Sequence, residues 1–477
     1  MKFLFLIIVL STQLFGVEKK KYNILFVISD DLTSTALACY GNKVCKTPNI
    51  DKLADEGTLF SRAYAQATFC GPSRASFMFG YYPQATGSTG YVSGREAVGP
   101  NRNSWSQYFR KNGWQSTRIS KVFHMGVPPD ITKGSDGSDD PASWDFKFNS
   151  QGPEARAPGD GETMQNNPDE IKKVAGGNKL VNVSAEGDDL VHSDGKTAKK
   201  AVELIKEYKG LNKPWFLAVG FVRPHVPFVA PKKYFDMYPW EKMVLPPKIE
   251  GDHDDIPKSS LNSRTSWNWK MNIRQQKKVI SGYYASVSFM DDQFGKVMRA
   301  LEESGQRENT IVIFTSDHGY HLGEHDLWMK VSVHEESAKV PLIISVPGKK
   351  PAICSSLVEL LDLYPTTASL CGLEIPKNNQ GKDITELFDD PTKKVREVAI
   401  CSSLTRTERW AYLYAKGGGE LYDMEKDPQQ YTNLVTNPEY APVLKKMIEI
   451  RQKRLAEIMD CDIEKKVGKA KKPKIAK

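Results

Sequence analysis

The 477-residue sequence has almost no long apolar stretch. Its most continuous apolar run, residues 3–10, is too short to cross a bilayer, and no later segment is long and apolar enough either. A chain built on membrane-spanning helices is therefore excluded. No Cys-x-x-Cys spacing occurs, which argues against a zinc ribbon or a thioredoxin-like redox site. No internal repeat is evident, so the chain is not a repeat array. Net charge is also missing from the body of the protein. The formal charge of +8 resides at the ends: residues 465–477 hold seven lysines and no acid, and without these and Lys2 residues 17–464 sum to zero. Such a body has no overall basic field for nucleic acid or any other polyanion, so attraction for an anionic substrate must be local. The basic tail reads as a solvated, disordered end.

Other features are present and informative. Lys2, the apolar run, and then Ser11, Thr12 and Gly16 read as an export signal cut near Gly16, although Leu14 stands where a small residue is preferred. Export places the protein in the periplasm or outside the cell. The seven cysteines, Cys39, Cys45, Cys70, Cys354, Cys371, Cys401 and Cys461, are an odd number for an exported chain. Setting Cys70 aside leaves six, whose pairing the sequence does not specify.

Three apolar runs share one grammar, a strand ending abruptly in polar residues. Residues 24–28 end in Ser29-Asp30-Asp31, residues 215–221 in Arg223-Pro224-His225, and residues 311–314 in Thr315-Ser316-Asp317-His318. Continuous apolar runs suit strands buried on both faces of a mostly parallel sheet, where ligands bind beyond the carboxyl ends of the strands. A fourth run, 340–346, reads as another core strand. Helical spacing covers 196–209, 275–303 and 357–370; Tyr283, Tyr284 and Val287 belong to the apolar stripe of the second. This alternation specifies an α/β fold with a large, mostly parallel sheet sandwiched by helices. Residues 148–195 and 247–275, the latter with Trp267 and Trp269, read as long surface excursions that could shape substrate access. From residue 389 the pattern changes to short strands, a hairpin around 410–423 and a final helix over 442–459, a smaller C-terminal α+β subdomain. The expected division is thus a signal at 1–16, a catalytic domain at 17–388, the subdomain at 389–464 and the tail at 465–477.

The stretch "FCGPSRASFMFG" at 69–80 places Cys70 at the start of a short helix, with Pro72 in the first turn and Gly80 at the end. Free backbone N–H groups and the helix dipole favour an anion there, and Arg74 lies one turn along, so the setting favours a thiolate or an anion bound beside it.

Cys70-Gly-Pro-Ser-Arg74 resembles the signature of the type I sulfatases, an alkaline-phosphatase-like group in which this cysteine is oxidised after translation to formylglycine. The resemblance spans the exported chain and is closest to the iduronate-2-sulfatase branch: "ISDDL", "CYGN", "TPNIDKLADEGTLFSRAYAQ", "SKVFH", "FLAVGFVRPHVPF", "YYASVSFMDDQFGKV", "TSDHGYHLGEH" and "ELYDMEKDP" occur in family order. It implies that Asp30, Asp31, Asp317, His318 and position 70 surround one divalent cation. The carboxylates suit a hard ion such as Ca²⁺. It also implies a hydrated aldehyde at position 70 as nucleophile, Arg74 and Lys121 beside it, His124 assisting the second step, and His225 and Lys330 at the sulfate. Thr33, Arg223 and Tyr320 are weaker candidates for substrate contact, and His321, His325 and His334 read as structural. Thr33 stands where the iduronate branch often has Arg, which leaves the sugar open. The implied substrate is a sulfated saccharide, a glycosaminoglycan or ulvan fragment, and the implied partner is a formylglycine-generating enzyme. Rival readings are a phosphodiesterase or phosphonate monoester hydrolase of the same superfamily, a catalytically silent saccharide-binding homologue, or a Cys70 engaged in a disulfide.

Overall fold

The computed structural model describes residues 21–88, 90–165, 179–258, 260–416 and 418–463. The export signal and the basic tail expected from sequence lie outside these residues. Eight strands form the central sheet: β1 (Asn23–Asp30), β2 (Thr58–Phe60), β3 (Gln115–Ser120), β4 (Phe146–Phe148), β5 (Trp215–Pro224), β6 (Thr310–Ser316), β7 (Leu342–Ser345) and β8 (Ala352–Cys354). Their order is β8-β2-β7-β6-β1-β5-β3-β4. Only β7 runs against the others.

The unbroken apolar run of β1 is explained by its two faces. Leu25 and Val27 join Leu217, Val219, Val312 and Phe314 in one core. Ile24, Phe26 and Ile28 join Phe216, Ala218, Ile311 and Ile313 in the other. Side chains alternate across a strand, so a strand covered on both faces must be apolar at every position. Helix α1 (Cys70–Phe79) packs Phe77 and Phe79 on the second face. Helices α2 (Ser193–Tyr208) and α3 (Ile273–Glu303) cover the first with Ala198, Ala201, Leu204, Tyr283, Val287 and Phe294. Asn272 and Gln275 close a capping box at the start of α3. No described helix is long and apolar enough to cross a membrane.

Beyond residue 389 a separate antiparallel sheet forms from β9 (Ala399–Cys401), β10 (Leu404–Arg406), β11 (Trp410–Ala415) and β12 (Gly418–Asp423). Helix α4 (Ala441–Met459) lays Met447 against Tyr412 and Leu421 of that sheet.

Several local expectations are corrected. The run 340–346 is two strands, because Pro341 has no N–H for a ladder. Residues Lys339–Val340 pair with Ala63–Tyr64, and β7 alone enters the central sheet. Within 357–370 only Leu363–Leu370 is α-helical, preceded by a 3₁₀ turn and a two-residue strand. The described part of 148–195 is not simply loop: Gly159–Thr163 and Val181–Ala185 pair with each other, and the latter with Phe228–Pro231. All seven cysteines are unpaired thiols.

Candidate active site

Four adjacent strands, β6-β1-β5-β3, end on one side of the sheet, and each delivers polar groups there. Strand β1 ends in Asp30 and Asp31, and β6 is followed by Asp317 and His318. Strand β5 ends in Pro224 and is followed by His225, and after β3 comes Lys121. The backbone bends sharply at these exits: Asp31 has φ 65° and Ser120, just before Lys121, has φ 56°. Left-handed backbone at non-glycine residues is strained, and strain of this kind collects where side chains must be aimed. The turn at Asp31 is pinned by its neighbours. The Tyr283 hydroxyl donates to the Asp31 carbonyl at 2.7 Å and accepts from the Thr33 N–H at 2.8 Å. The Leu32 N–H donates to Ser316 Oγ at 2.9 Å.

Cys70 is the first residue of α1, and Phe69 before it offers no side-chain cap, so the first N–H groups of the helix stay free. Its Sγ lies 3.3 Å from His318 Nε2, 3.4 Å from Lys330 Nζ and 3.7 Å from Asp31 Oδ1. Arg74, one turn along, is fully buried and joins the two flanking strands. Its Nε donates to Asp317 Oδ2 at 2.9 Å and its Nη2 to Asp30 Oδ1 at 2.8 Å, while Nη1 donates to the carbonyls of Lys121 and Val122. Lys121 pairs with Asp30, and Lys330 with Asp31 at 2.6 Å.

Burial pushes the Cys70 thiol well up, and Asp30 adds to this; Lys330 opposes it without prevailing. The thiolate expected from the helix terminus is therefore not favoured, because burial, with Asp30 and Asp317 adding to it, disfavours a charged sulfur. Burial alone would raise Asp30, but Lys121 and Arg74 outweigh it and hold that carboxyl well below the usual range. Burial raises Asp31, and the carboxylates of Asp30 and Asp317 add to the rise against Lys330 and His318. Burial works against the Lys330 charge, yet Asp31 and Cys70 keep its pKa well above that of a free lysine. Burial, then Lys330, holds His225 neutral. Burial, then Lys121, depresses His124 to about 2.

The residues fit a hard cation. Ligand atoms of Asp30, Asp31, Cys70 and His225 lie within 4.8 Å of one another, as do those of Cys70, Asp317 and His318. His318 Nδ1 faces the Gly319 carbonyl at 2.8 Å and His225 Nδ1 faces the Val226 carbonyl at 2.5 Å. A carbonyl only accepts, so each Nδ1 carries a proton and each Nε2 is turned toward the centre. Three sealed carboxylates with imidazole nitrogens beside them form an oxygen-rich donor set.

The three weaker candidates for substrate contact are buried and engaged within the protein, as the residues of the centre are. Thr33 is fully buried beneath Tyr283. Tyr320 is fully buried and stacks on Tyr283, ring centroids 5.2 Å apart. The Arg223 guanidinium is committed to Glu154 and to the His225 carbonyl at 2.7 Å, so it positions His225. His325 and His334 stack 4.7 Å apart and pair with Asp252 and Glu420 away from Cys70, while His321 faces Ser337 and Glu336. Tyr91 escaped the sequence reading. It is 59% exposed, and its ring lies 4.4 Å from that of His124. Gly71 admits it, since a Cβ there would stand 2.9 Å from the Tyr91 ring. A lone aromatic in a Gly- and Ser-rich loop carries no signal of that placement.

Comparison with known proteins agrees with this geometry. The sulfatase family profile matches residues 22–373, and the profile of the N-sulphoglucosamine sulphohydrolase C-terminal region matches residues 323–458. A sulfatase of Formosa agariphila is 33% identical over 445 residues, covering 88% of this chain and 84% of that protein. Human iduronate 2-sulfatase is 33% identical over 409 residues, covering 74% of this chain and 70% of its own length. Among solved structures, a protein in complex with its substrate D-glucosamine-2-N,6-O-disulfate superposes with a TM-score of 0.70 at 20% identity, over 94% of this chain and all of that one.

Proposed function

The chain belongs to the sulfatase family, and from that footing we propose that it releases inorganic sulfate from sulfate monoesters of a saccharide, a fragment of a uronate-containing polysaccharide of glycosaminoglycan or ulvan type. The observation that carries this reading is position 70: a helix terminus sets it among Asp31, His318 and Lys330, at 3.3–3.7 Å from each. Asp30, Asp31, Asp317, His318 and residue 70 would hold one Ca²⁺. When present, that ion would polarise the sulfate oxygens, and a formylglycine hydrate at position 70 would supply one hydroxyl to attack sulfur and a second to expel the sulfate.

The chain's own residues do the remaining work. Lys330 is charged in the resting site and faces position 70; it holds the sulfate oxygens and gives a proton to the leaving saccharide oxygen as the S–O bond breaks, then regains one from solvent. His225 stays neutral with Nε2 bare, so it orients the ester rather than acting as an acid. His124 is neutral at working pH and its Nδ1 has no partner within the protein; it takes the proton of the second hydroxyl when sulfate departs. Arg74 and Lys121 fix Asp30 and, through it, the floor of the site. Residues 1–16 as an export signal, 17–388 as the catalytic unit, 389–464 as a subdomain, and maturation by a formylglycine-generating enzyme belong to the same reading.

The test is sulfate release from a panel of sulfated oligosaccharides by protein co-expressed with the maturation system. Release should vanish in Cys70→Ala and after chelation, and Ca²⁺ should restore the chelated enzyme. Matured protein that cleaves phosphonate or phosphate esters but no member of the panel would overturn the reading.

A further inference from the structure

The loop over 247–275 brings to the Lys330 backbone a guanidinium that the chemistry above does not use. Thr265 bridges Leu327 in antiparallel fashion, and the Trp328 N–H donates to the Arg264 carbonyl at 2.8 Å. This short ladder lays Arg264 alongside the segment that ends in Lys330. The Arg264 N–H is itself pinned by Asn262 Oδ1 at 2.8 Å. Its Nη1 donates to the Lys330 carbonyl at 3.1 Å. Its Nε and Nη2 make no hydrogen bond with a described residue, and neither is sealed from solvent.

The other cations of the site are already engaged. Arg74 joins Asp30 to Asp317, Lys121 pairs with Asp30, and Lys330 pairs with Asp31. No carboxylate among the described residues pairs with Arg264. Thr33 and Tyr320 are fully buried, and the Arg223 guanidinium is held by Glu154. Val331, held at φ 91° and 42% exposed, makes the wall beside Lys330 apolar. A half-buried guanidinium with a free edge, fixed by its backbone and by one N–H, is an anion receptor with its fork already oriented.

We propose that Arg264 recognises a second anionic group on the saccharide whose ester is cleaved, a carboxylate or a further sulfate, and so selects charged sugars over neutral ones. This rests on the sulfatase reading. It makes Arg264 a specificity residue, set one lysine side chain away from the reacting ester.

Two matched substrate pairs test it: a uronate 2-sulfate glycoside against its carboxyl-reduced counterpart, and a disulfated hexosamine against the monosulfated sugar. The readout is the ratio of kcat/KM within each pair. In Arg264→Gln the ratio for one pair should fall ~10–100-fold, as expected for a charge-assisted bidentate contact, and the pair affected identifies the anion. Arg264→Lys should retain part of the ratio. Ratios unchanged in both pairs would overturn the proposal, as would equal losses on both members of each pair, which would mean that Arg264 only props Lys330. Binding separates this from the sulfatase reading. Calorimetry with glucuronate and with glucosamine 6-sulfate, on Cys70→Ala protein, should show at least tenfold tighter binding of one of them than in Cys70→Ala/Arg264→Gln. That difference, without sulfate release by the matured wild type, would keep the receptor and sink the sulfatase reading. Release with Arg264-independent ratios would do the reverse.

Discussion

Gly220→Ala probes how firmly the fold fixes Lys121. Gly220 sits in β5 opposite Ser120 of β3 and beside Ile28 of β1, so both neighbouring strands deliver site residues just beyond it. A Cβ at this position would lie 2.8 Å from the Lys121 nitrogen and closer still to its carbonyl carbon and oxygen. Unstrained contact between such atoms begins near 3.5 Å, so the Lys121 peptide must retreat by about 1 Å. That peptide cannot move alone, because its carbonyl accepts from Arg74 Nη1 and its side chain pairs with Asp30. Forcing an extra carbon into a packed site costs about 1–3 kcal/mol, and a displacement of about 1 Å at a catalytic group lowers turnover on the order of 10²-fold. Matured Gly220→Ala should therefore fold with a reduced Tm and lose about two orders of magnitude in kcat/KM toward a chromogenic sulfate ester. Gly210→Ala is the control, since a Cβ there meets only the Glu207 carbonyl, at 3.6 Å. Gly220→Ala activity within twofold of wild type would refute the claim that the Lys121 peptide is held rigidly by β5.

Arg74→Met leaves the Asp30 and Asp317 carboxylates buried without the fork that joins them. It should destabilise the protein by about 3–5 kcal/mol in urea unfolding. Arg74→Lys, one ammonium that cannot span both acids, should recover less than half of that loss; wild-type stability in Arg74→Met would contradict the bridging role. His124 stays neutral in the fold down to about pH 2, through burial first and then Lys121, Arg74 and Lys330, with Asp30 opposing. The unfolded chain takes up the proton near pH 6.5, so stability is lost as pH falls below 6.5, by about 1 kcal/mol per unit. His124→Gln should flatten the slope of unfolding free energy between pH 6.5 and 5 by close to one proton, and an unchanged slope would show that His124 protonates freely in the folded state.

The strands that carry the site were legible because burial on both faces leaves a mark in sequence. Residues 24–28, 215–221 and 311–314 are apolar at consecutive positions, and each stops where charge begins. The order β6-β1-β5-β3, which makes those stops converge, is written in no single segment, since it depends on pairing across about 100 to 290 residues. Pro341 was a visible strand breaker and still marked the place where the fourth run divides. The strands hidden in 148–195 were not visible, because Gly159–Thr163 is short and polar and draws its order from its partner.

The functional site divides along a similar line, between what a local pattern reports and what packing adds. Helical periodicity placed Tyr283 in the buried stripe of α3, which it occupies, but periodicity describes the ring and not the hydroxyl that pins Asp31 and Thr33. The motif placed Arg223 near substrate, yet Glu154, from a segment with no pattern of its own, claims its guanidinium. The local argument for a Cys70 thiolate was sound for a helix terminus in water. It fails in the fold because burial penalises a charged sulfur, Asp30 and Asp317 arriving from two distant strand ends add to that, and Lys330 and Lys121 oppose it without prevailing. Burial keeps the thiol protonated first, with Asp30 next, so acidity at position 70 cannot be credited to α1 alone. A helix terminus contributes a fraction of one charge, whereas the carboxylates gathered there contribute three. Arg74, Lys121 and Lys330 match those three carboxylates charge for charge, so what residue 70 must overcome to become an anion is first its burial.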